Sequence, residues 1–458
     1  MKSLTKRNKG IFLTVMFMSI VSTVMVTALS TGIPAIMRDF HISAGMAQWV
    51  TSLYALVSGI MILVTAYIIK RFPTKPVFLI GTGIFTVGTL IGALAPSYVL
   101  LLLGRILQGA GNGLVLALTQ VIILKIFPEN KKGYGMGLYG LAVGLTPVIA
   151  PFLAGVLIDF GGWRLIFYVV LAFCAIDLIA GFIFLANIID REESSFDLAS
   201  VIFAAIAFSG ILYGLGNIGT FPVLSIQTGG SIIVGLVFLV IFYRKQLHLK
   251  APILDVSAFK NKEFSMSVLI SFLLYAILNG TTTVLPIFIQ TIQGRSATSY
   301  GLVMMPAALL IGFLSPIAGN IYDRYGIRVL GLVGCAAIVA FTVMISFVSV
   351  KSSILYVIVA TVLQGIGVAA LLTPSMTWGL KGIPEKLITD GTALINCLRT
   401  IGGALGTAAF AAVITVVSPT ANIQGIKFSF MAMGAVAVVM FILSVLYVKN
   451  SESKDTTK

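Results

Sequence analysis

Asp177 lies in the middle of FYVVLAFCAIDLIAGFIFL, residues 167–185, with no other charged side chain in the run. A carboxylate near the centre of a bilayer costs ~2.5–3.5 kcal/mol on insertion scales, so something has to offset it. Withdrawal from water favours the neutral carboxyl, which suits a group that loads and unloads a proton. A nearby guanidinium would instead hold it charged as a structural pair. Two arginines stand in similarly apolar surroundings. LGRILQGAGNG places Arg105, Gln108 and Asn112 at i, i+3 and i+7, one face of a helix, and NCLRTIGGALG puts Asn396 and Arg399 on another. An arginine inside a membrane has to face a cavity or a partner. Hydrolytic chemistry has no foothold: the chain contains no H-E-x-x-H, G-x-S-x-G or G-x-x-x-x-G-K-[ST], and both histidines, His41 and His248, fall between apolar segments.

The elements that must carry these residues follow from composition. The chain has 458 residues, 58% apolar and 10% charged, against about 25% charged in soluble domains. A bilayer core needs about 20 apolar residues per helix. Fourteen segments qualify, at 11–36, 47–69, 77–95, 98–124, 134–158, 163–187, 198–216, 225–244, 264–290, 298–320, 328–348, 353–378, 391–416 and 428–448. The first is too long for a signal-peptide h-region and has no A-x-A-like site, so it reads as a transmembrane helix. An even number of spans puts both termini on one side. That side then holds 23 of the 30 Lys and Arg, against five on the other and two within helices. The positive-inside rule makes it the cytoplasm. The net charge of +15 is therefore read as topology rather than as a nucleic-acid surface. Cys174, Cys335 and Cys397 are dispersed in apolar segments and read as packing residues, with no disulfide framework or metal pair.

An internal repeat divides the chain. YVLLLLGRILQGAGNGLVLALT, from Tyr98, returns as YVIVATVLQGIGVAALLTP, from Tyr356, which aligns Gln108 with Gln364. TAYIIKRFPTK (65–75) matches AGNIYDRYGIR (318–328), and Pro34 pairs with Pro286. Segments 1–6 and 9–14 are thus related halves, expected at 1–190 and 251–458, with two linker helices inserted over 191–250. Parallel halves with a site between them are a transporter architecture. The repeat also sets the polar run NGTTTVLP (279–286), with Asn279 and Thr282, opposite Thr27, Ser30 and Thr31 of the first helix.

AGNIYDRYGIR resembles the G-x-x-x-D-R-x-G-R loop of the major facilitator superfamily, and with fourteen helices the chain is similar to its drug:proton antiporter branch. R-x-x-Q-G at Arg105, APFLAG (150–155), GGWRLIF (161–167) and NCLRTIGGALG are similar to further signatures of that branch. The resemblance implies an all-α polytopic membrane protein with the major facilitator fold, two six-helix halves plus two inserted helices. It implies export of amphipathic drugs in exchange for protons by alternating access, without a cofactor or metal, from a monomer in a bacterial cell membrane. Proton coupling is expected of Asp177 and Arg105. A substrate cavity is expected around Thr27, Ser30, Thr31, Gln108, Asn112, Asn279, Thr282, Gln364, Asn396 and Arg399. Gating falls to Asp323, Arg324, Gly326 and Arg328, to Lys70 and Arg71 in the matching loop, and to Pro147 and Pro151 of the fifth helix. The chain departs from the branch at Met25, where an acid is usual, at Lys70 and Pro73 in the first-half loop, and at Ala150 and Ala154 in APFLAG. Without the helix-1 acid, lipophilic cations are less secure as substrates, and neutral or anionic amphiphiles stand beside them.

Overall fold

The computed structural model describes residues 5–128, 132–188, 197–218, 221–249, 255–384, 387–418 and 422–448. Backbone groups in a bilayer must bond within their own segment, so every apolar run becomes a helix. They are α1 (Lys6–Thr31), α2 (Trp49–Arg71), α3 (Thr74–Leu94), α4 (Tyr98–Ile126), α5 (Lys132–Gly161), α6 (Arg164–Phe184), α7 (Leu198–Gly216) and α8 (Ser231–His248). The rest are α9 (Lys262–Pro286), α10 (Ala297–Tyr325), α11 (Ile327–Ser346), α12 (Ile354–Lys381), α13 (Ile388–Val417) and α14 (Ile423–Tyr447). Among the described residues thirteen stretches are long and apolar enough to cross a membrane; the remaining one, Ile149–Gly161, belongs to α5, itself 30 residues long. The fourteen expected segments are therefore present, each within a few residues of its expected place.

Two interruptions of the helices coincide with prolines. α1 breaks at Gly32 and resumes as Ile33–Phe40 with Pro34 in its first turn. Pro286 closes α9, and the chain continues as a π-helical turn, Ile287–Ile292. Proline has no N–H and cannot continue the ladder unaided. Serines start the matching helices. Ser97 accepts from the Leu100 N–H at the head of α4, and Ser353 from Tyr356 at the head of α12. Ser43 and Ser296 do the same before α2 and α10. Such caps satisfy donors that the first turn leaves unpaired.

Packing repeats between the halves. α4 lies against α2 and α3, and α12 against α10 and α11; α1 packs on α5 and α6, and α9 on α13 and α14. Glycines set these approaches. A Cβ on Gly109 would lie 2.6 Å from the Tyr54 carbonyl oxygen, and one on Gly365 2.6 Å from that of Ala307. Gly111 meets the Gly81 carbonyl and Gly367 the Gly334 carbonyl in the same relation, at 2.5 and 2.9 Å. Small residues let membrane helices touch backbone to backbone. Gly111→Val is therefore expected to force α3 and α4 apart, at ~1–3 kcal/mol or more for overpacking. The check is thermal unfolding in detergent beside Gly83→Ala, which has nothing within 4 Å of the added carbon and should melt like the wild type.

The two most extensive contacts between the halves are equivalent under the repeat: α2 packs on α13, and α10 on α5. α7 and α8 pack on each other, with Gly235 close to the Ala207 carbonyl, and α7 docks on α2 and α13. Trp49 lies against Tyr213 and Gly216 of α7. At the other end of this pair Lys245 bonds Asp197 at 2.6 Å. Partial burial acts to raise the Asp197 carboxyl, but hydrogen bonds from Lys245 and Ser200 hold it below its ordinary value.

Candidate functional site

Arg105 is wholly buried inside the first half. Its Nε donates to the Val50 carbonyl at 2.7 Å, Nη1 to Gln108 Oε1 at 2.7 Å, and its guanidinium lies over the Tyr54 ring, 4.2 Å from the centroid. Gln108 in turn donates to Thr89 of α3 at 2.8 Å, and Asn112 to Ser58 of α2 at 2.7 Å. The Tyr54 hydroxyl reaches the Ser22 carbonyl of α1 at 3.3 Å. One polar network thus binds α1, α2, α3 and α4 together, with Arg105, Gln108 and Asn112 all within it. The second half keeps the neutral version: Thr361 donates to the Val303 carbonyl and Gln364 to Thr281 Oγ1.

Asp177 is not part of that network. α6 packs on α1 and α3, and Asp177 is fully buried with neither carboxyl oxygen bonded. The ion pairs Arg164–Asp39 and Lys245–Asp197 do not involve it, and no cation among the described residues bonds either oxygen. Arg399 of α13 is also buried. Its Nη2 donates to the Leu372 carbonyl at 2.5 Å and to Ser271 at 3.2 Å, and Nη1 reaches only the Met376 sulfur at 3.5 Å. Nε has no partner, and the Tyr275 ring lies 5.5 Å away.

The remaining expected cavity residues divide by exposure. Thr27, Asn279, Thr282 and Asn396 are half-buried, whereas Ser30, Thr31 and Gln364 are buried. Thr27, Ser30 and Thr282 donate to carbonyls of their own helices. Of the expected gating residues, Arg71, Asp323, Arg324 and Arg328 are exposed and Pro151 is buried; the side chains of Lys70 and Pro147 lie outside those described. Gly326 turns the α10–α11 loop at φ 74°, and its N–H bonds the Tyr322 carbonyl. Pro73, in the matching loop, has φ −62°. A left-handed turn suits glycine and is closed to proline, so the two loops turn by different means.

The end of the bundle away from the termini carries contacts that sequence reasoning missed. Asp159, near the end of α5, accepts from the Ala297 and Thr298 N–H groups at 3.1 and 2.9 Å and from the Thr298 hydroxyl at 2.6 Å. It thereby caps α10 across the halves. Gln290 donates to the Thr31 carbonyl of α1 at 2.9 Å, a second link. Under the repeat Thr415 takes the place of Asp159, and its hydroxyl lies 2.7 Å from where a Cβ on Gly45 would sit. An acid ending a helix looks like any solvated terminus in the sequence, and only the partner helix reveals it. GGWRLIF proves to be a collar at this end. Arg164 bonds Asp39 at 2.6 Å and the Ala95 carbonyl at 3.1 Å, and Trp163 Nε1 bonds Asp39 at 2.9 Å. Partial burial opposes it, but these hydrogen bonds and the Arg164 charge hold the Asp39 carboxyl below its usual value. The collar's contribution is therefore present above the ordinary carboxylate range and lost as pH falls through the lowered value.

Repeat-related halves joined by two reciprocal helix pairs are the architecture of a secondary transporter. The chain matches the family model of the Major Facilitator Superfamily over residues 15–407 and belongs to that family. It is 35% identical to the MFS-type transporter YcnB of Bacillus subtilis over 95% of this chain and 93% of that protein. It is 32% identical to the lincomycin resistance protein LmrB of Listeria monocytogenes over 83% and 81%, and 27% identical to the multidrug resistance protein Stp of Mycobacterium tuberculosis over 84% and 72%. Among solved structures, a POT family transporter in complex with 5-aminolevulinic acid superposes with a TM-score of 0.73 over 96% of both chains. At 16% identity that likeness establishes the fold alone. The protein is a multi-pass membrane transporter with the fourteen-helix form of this fold.

Proposed function

We propose that this transporter exports amphipathic small molecules across a bacterial cell membrane in exchange for protons. Residues 1–190 and 251–458 are the two moving halves, 191–250 the linker helices, and both termini are cytoplasmic. The names of its relatives, for lincomycin and multidrug resistance, support export of toxic compounds. The observation that carries proton exchange is Asp177, buried with neither oxygen bonded and no cation to meet its charge.

The halves rock about the α2–α13 and α5–α10 contacts. The links from Asp159 to α10 and from Gln290 to α1 close the outer end, so the cavity between the halves opens to the cytoplasm. Compound enters beside Thr27, Asn279, Thr282 and Asn396. Opening outward breaks the two links and releases it. The Asp323–Arg328 loop and Arg71 guard the cytoplasmic end. Asp177 can bear charge only while water reaches it, which requires α1 to shift against α6. Proton release is thereby tied to one arrangement of the helices. A single chain contains every part of this cycle, so the monomer is the working unit. The test is a panel of cationic, neutral and anionic compounds in vesicles holding the purified protein. An imposed pH gradient should drive saturable uptake and counterflow of at least one of them. Unsaturable flux would instead mark a channel.

A further inference from the structure

We propose that Arg399 is the recognition point for an anionic group on the transported compound, an inference that rests on the carrier reading above. The two buried arginines differ in what they lack. Arg105 has oxygen acceptors on Nε and Nη1 and the Tyr54 ring against its face, leaving Nη2 unpaired deep inside one half among buried side chains. Arg399 has oxygen acceptors on Nη2 alone; Nη1 meets a thioether and Nε meets nothing. A thioether is a weak acceptor, and a buried guanidinium without a counter-charge is strongly unfavourable unless something completes it. No carboxylate among the described residues does so: the buried acid, Asp177, sits in the other half against α1 and α3.

The surroundings of Arg399 point to a ligand rather than to a missing structural partner. Arg399 sits among α9, α12 and α13, where Tyr275, Leu372, Met376 and Asn396 are only half-buried. They offer an aromatic face, a soft thioether and an amide, and no negative charge. A carboxylate, sulfonate or phosphate would complete the guanidinium as a charge-assisted acceptor, while its apolar body packs on Tyr275 and Met376, side chains that adapt to varied shapes. A lipophilic cation in the same place meets like charge and nothing to offset it.

Binding is measured on the full-length protein in detergent with two dansyl probes sharing one alkyl chain, one ending in a carboxylate and one in trimethylammonium. The wild type is expected to prefer the carboxylate probe. Arg399→Gln should weaken that probe by about tenfold or more, the scale of a lost charge-assisted bond, and Arg399→Lys should restore part of it. The wild type alone supplies a second readout, since the carboxylate probe should raise its melting temperature and the ammonium probe should not. An ammonium probe bound as tightly as the carboxylate, absent carboxylate binding, or carboxylate affinity unchanged in Arg399→Gln would overturn the assignment. Transport is read separately in vesicles. Carboxylate binding without pH-driven exchange of any compound contradicts the carrier reading and not this site, whereas exchange with ammonium preference does the reverse.

Discussion

Replacing Asp177 by Asn is expected to abolish pH-gradient-driven transport, at least about a hundredfold below wild type, while folding and compound binding persist. Asn has nearly the shape of the carboxylic acid but cannot release a proton, so the step that couples proton movement to the helices is lost. The stability cost is small by comparison. Both Asp177 oxygens already lack hydrogen bonds, so an amide there inherits an existing deficit, and an added unsatisfied donor costs ~1–3 kcal/mol. Asp177→Leu sharpens the reading. It removes two unpaired buried polar atoms, so it should melt no lower than the wild type and still fail to couple. Transport assays and melting curves on the same preparations check both. If Asp177→Asn transports like the wild type, Asp177 is structural, and coupling has to be sought near Arg105.

The second large effect is conformational. Removing the Asp159 carboxylate takes from the head of α10 the acceptor of two backbone N–H groups and a hydroxyl. Loss of a capping side chain costs ~0.5–2 kcal/mol, and each 1.4 kcal/mol shifts a two-state ratio by about tenfold. Asp159→Ala should therefore open the end away from the termini in a substantially larger share of molecules. Spin labels at Phe160 and Arg295, both exposed, would report this as a longer distance between α5 and α10. Cys174, Cys335 and Cys397 are replaced beforehand. An unchanged distance distribution would mean that the close backbone packing of Gly155 on Ala297 and of Gly301 on Phe152 holds that end without the carboxylate.

How much of this was legible in the sequence depends on the kind of contact. Helices follow from apolar runs, and α7 occupies Leu198–Gly216, the span that hydropathy alone had given. The repeat was readable too, and it holds in the packing, since Arg105 and Thr361 donate to the equivalent carbonyls of Val50 and Val303. Gln108 and Gln364 nonetheless bond threonines on non-equivalent helices, Thr89 of α3 and Thr281 of α9. Partners across helices were not readable. Spacing puts Arg105, Gln108 and Asn112 on one helix face, yet it cannot say that the facing helix brings a carbonyl at Val50 and a ring at Tyr54 to meet the guanidinium. Ser271 and Gln290 gave no signal at all, being ordinary polar residues until α13 and α1 are placed beside them. Asp159 looked like a helix-end acid, which it is; that the helix it caps belongs to the other half emerges only from the packing of α5 on α10.

The most direct measurement is of protons. With purified protein in vesicles and a pH-sensitive dye in the lumen, adding a transported compound to one side without any imposed gradient should move protons toward that side, against the direction in which the compound moves. The proton flux should rise with compound concentration, saturate, and vanish in Asp177→Asn. Compound movement with no change in luminal pH, or protons travelling in the same direction as the compound, would contradict exchange.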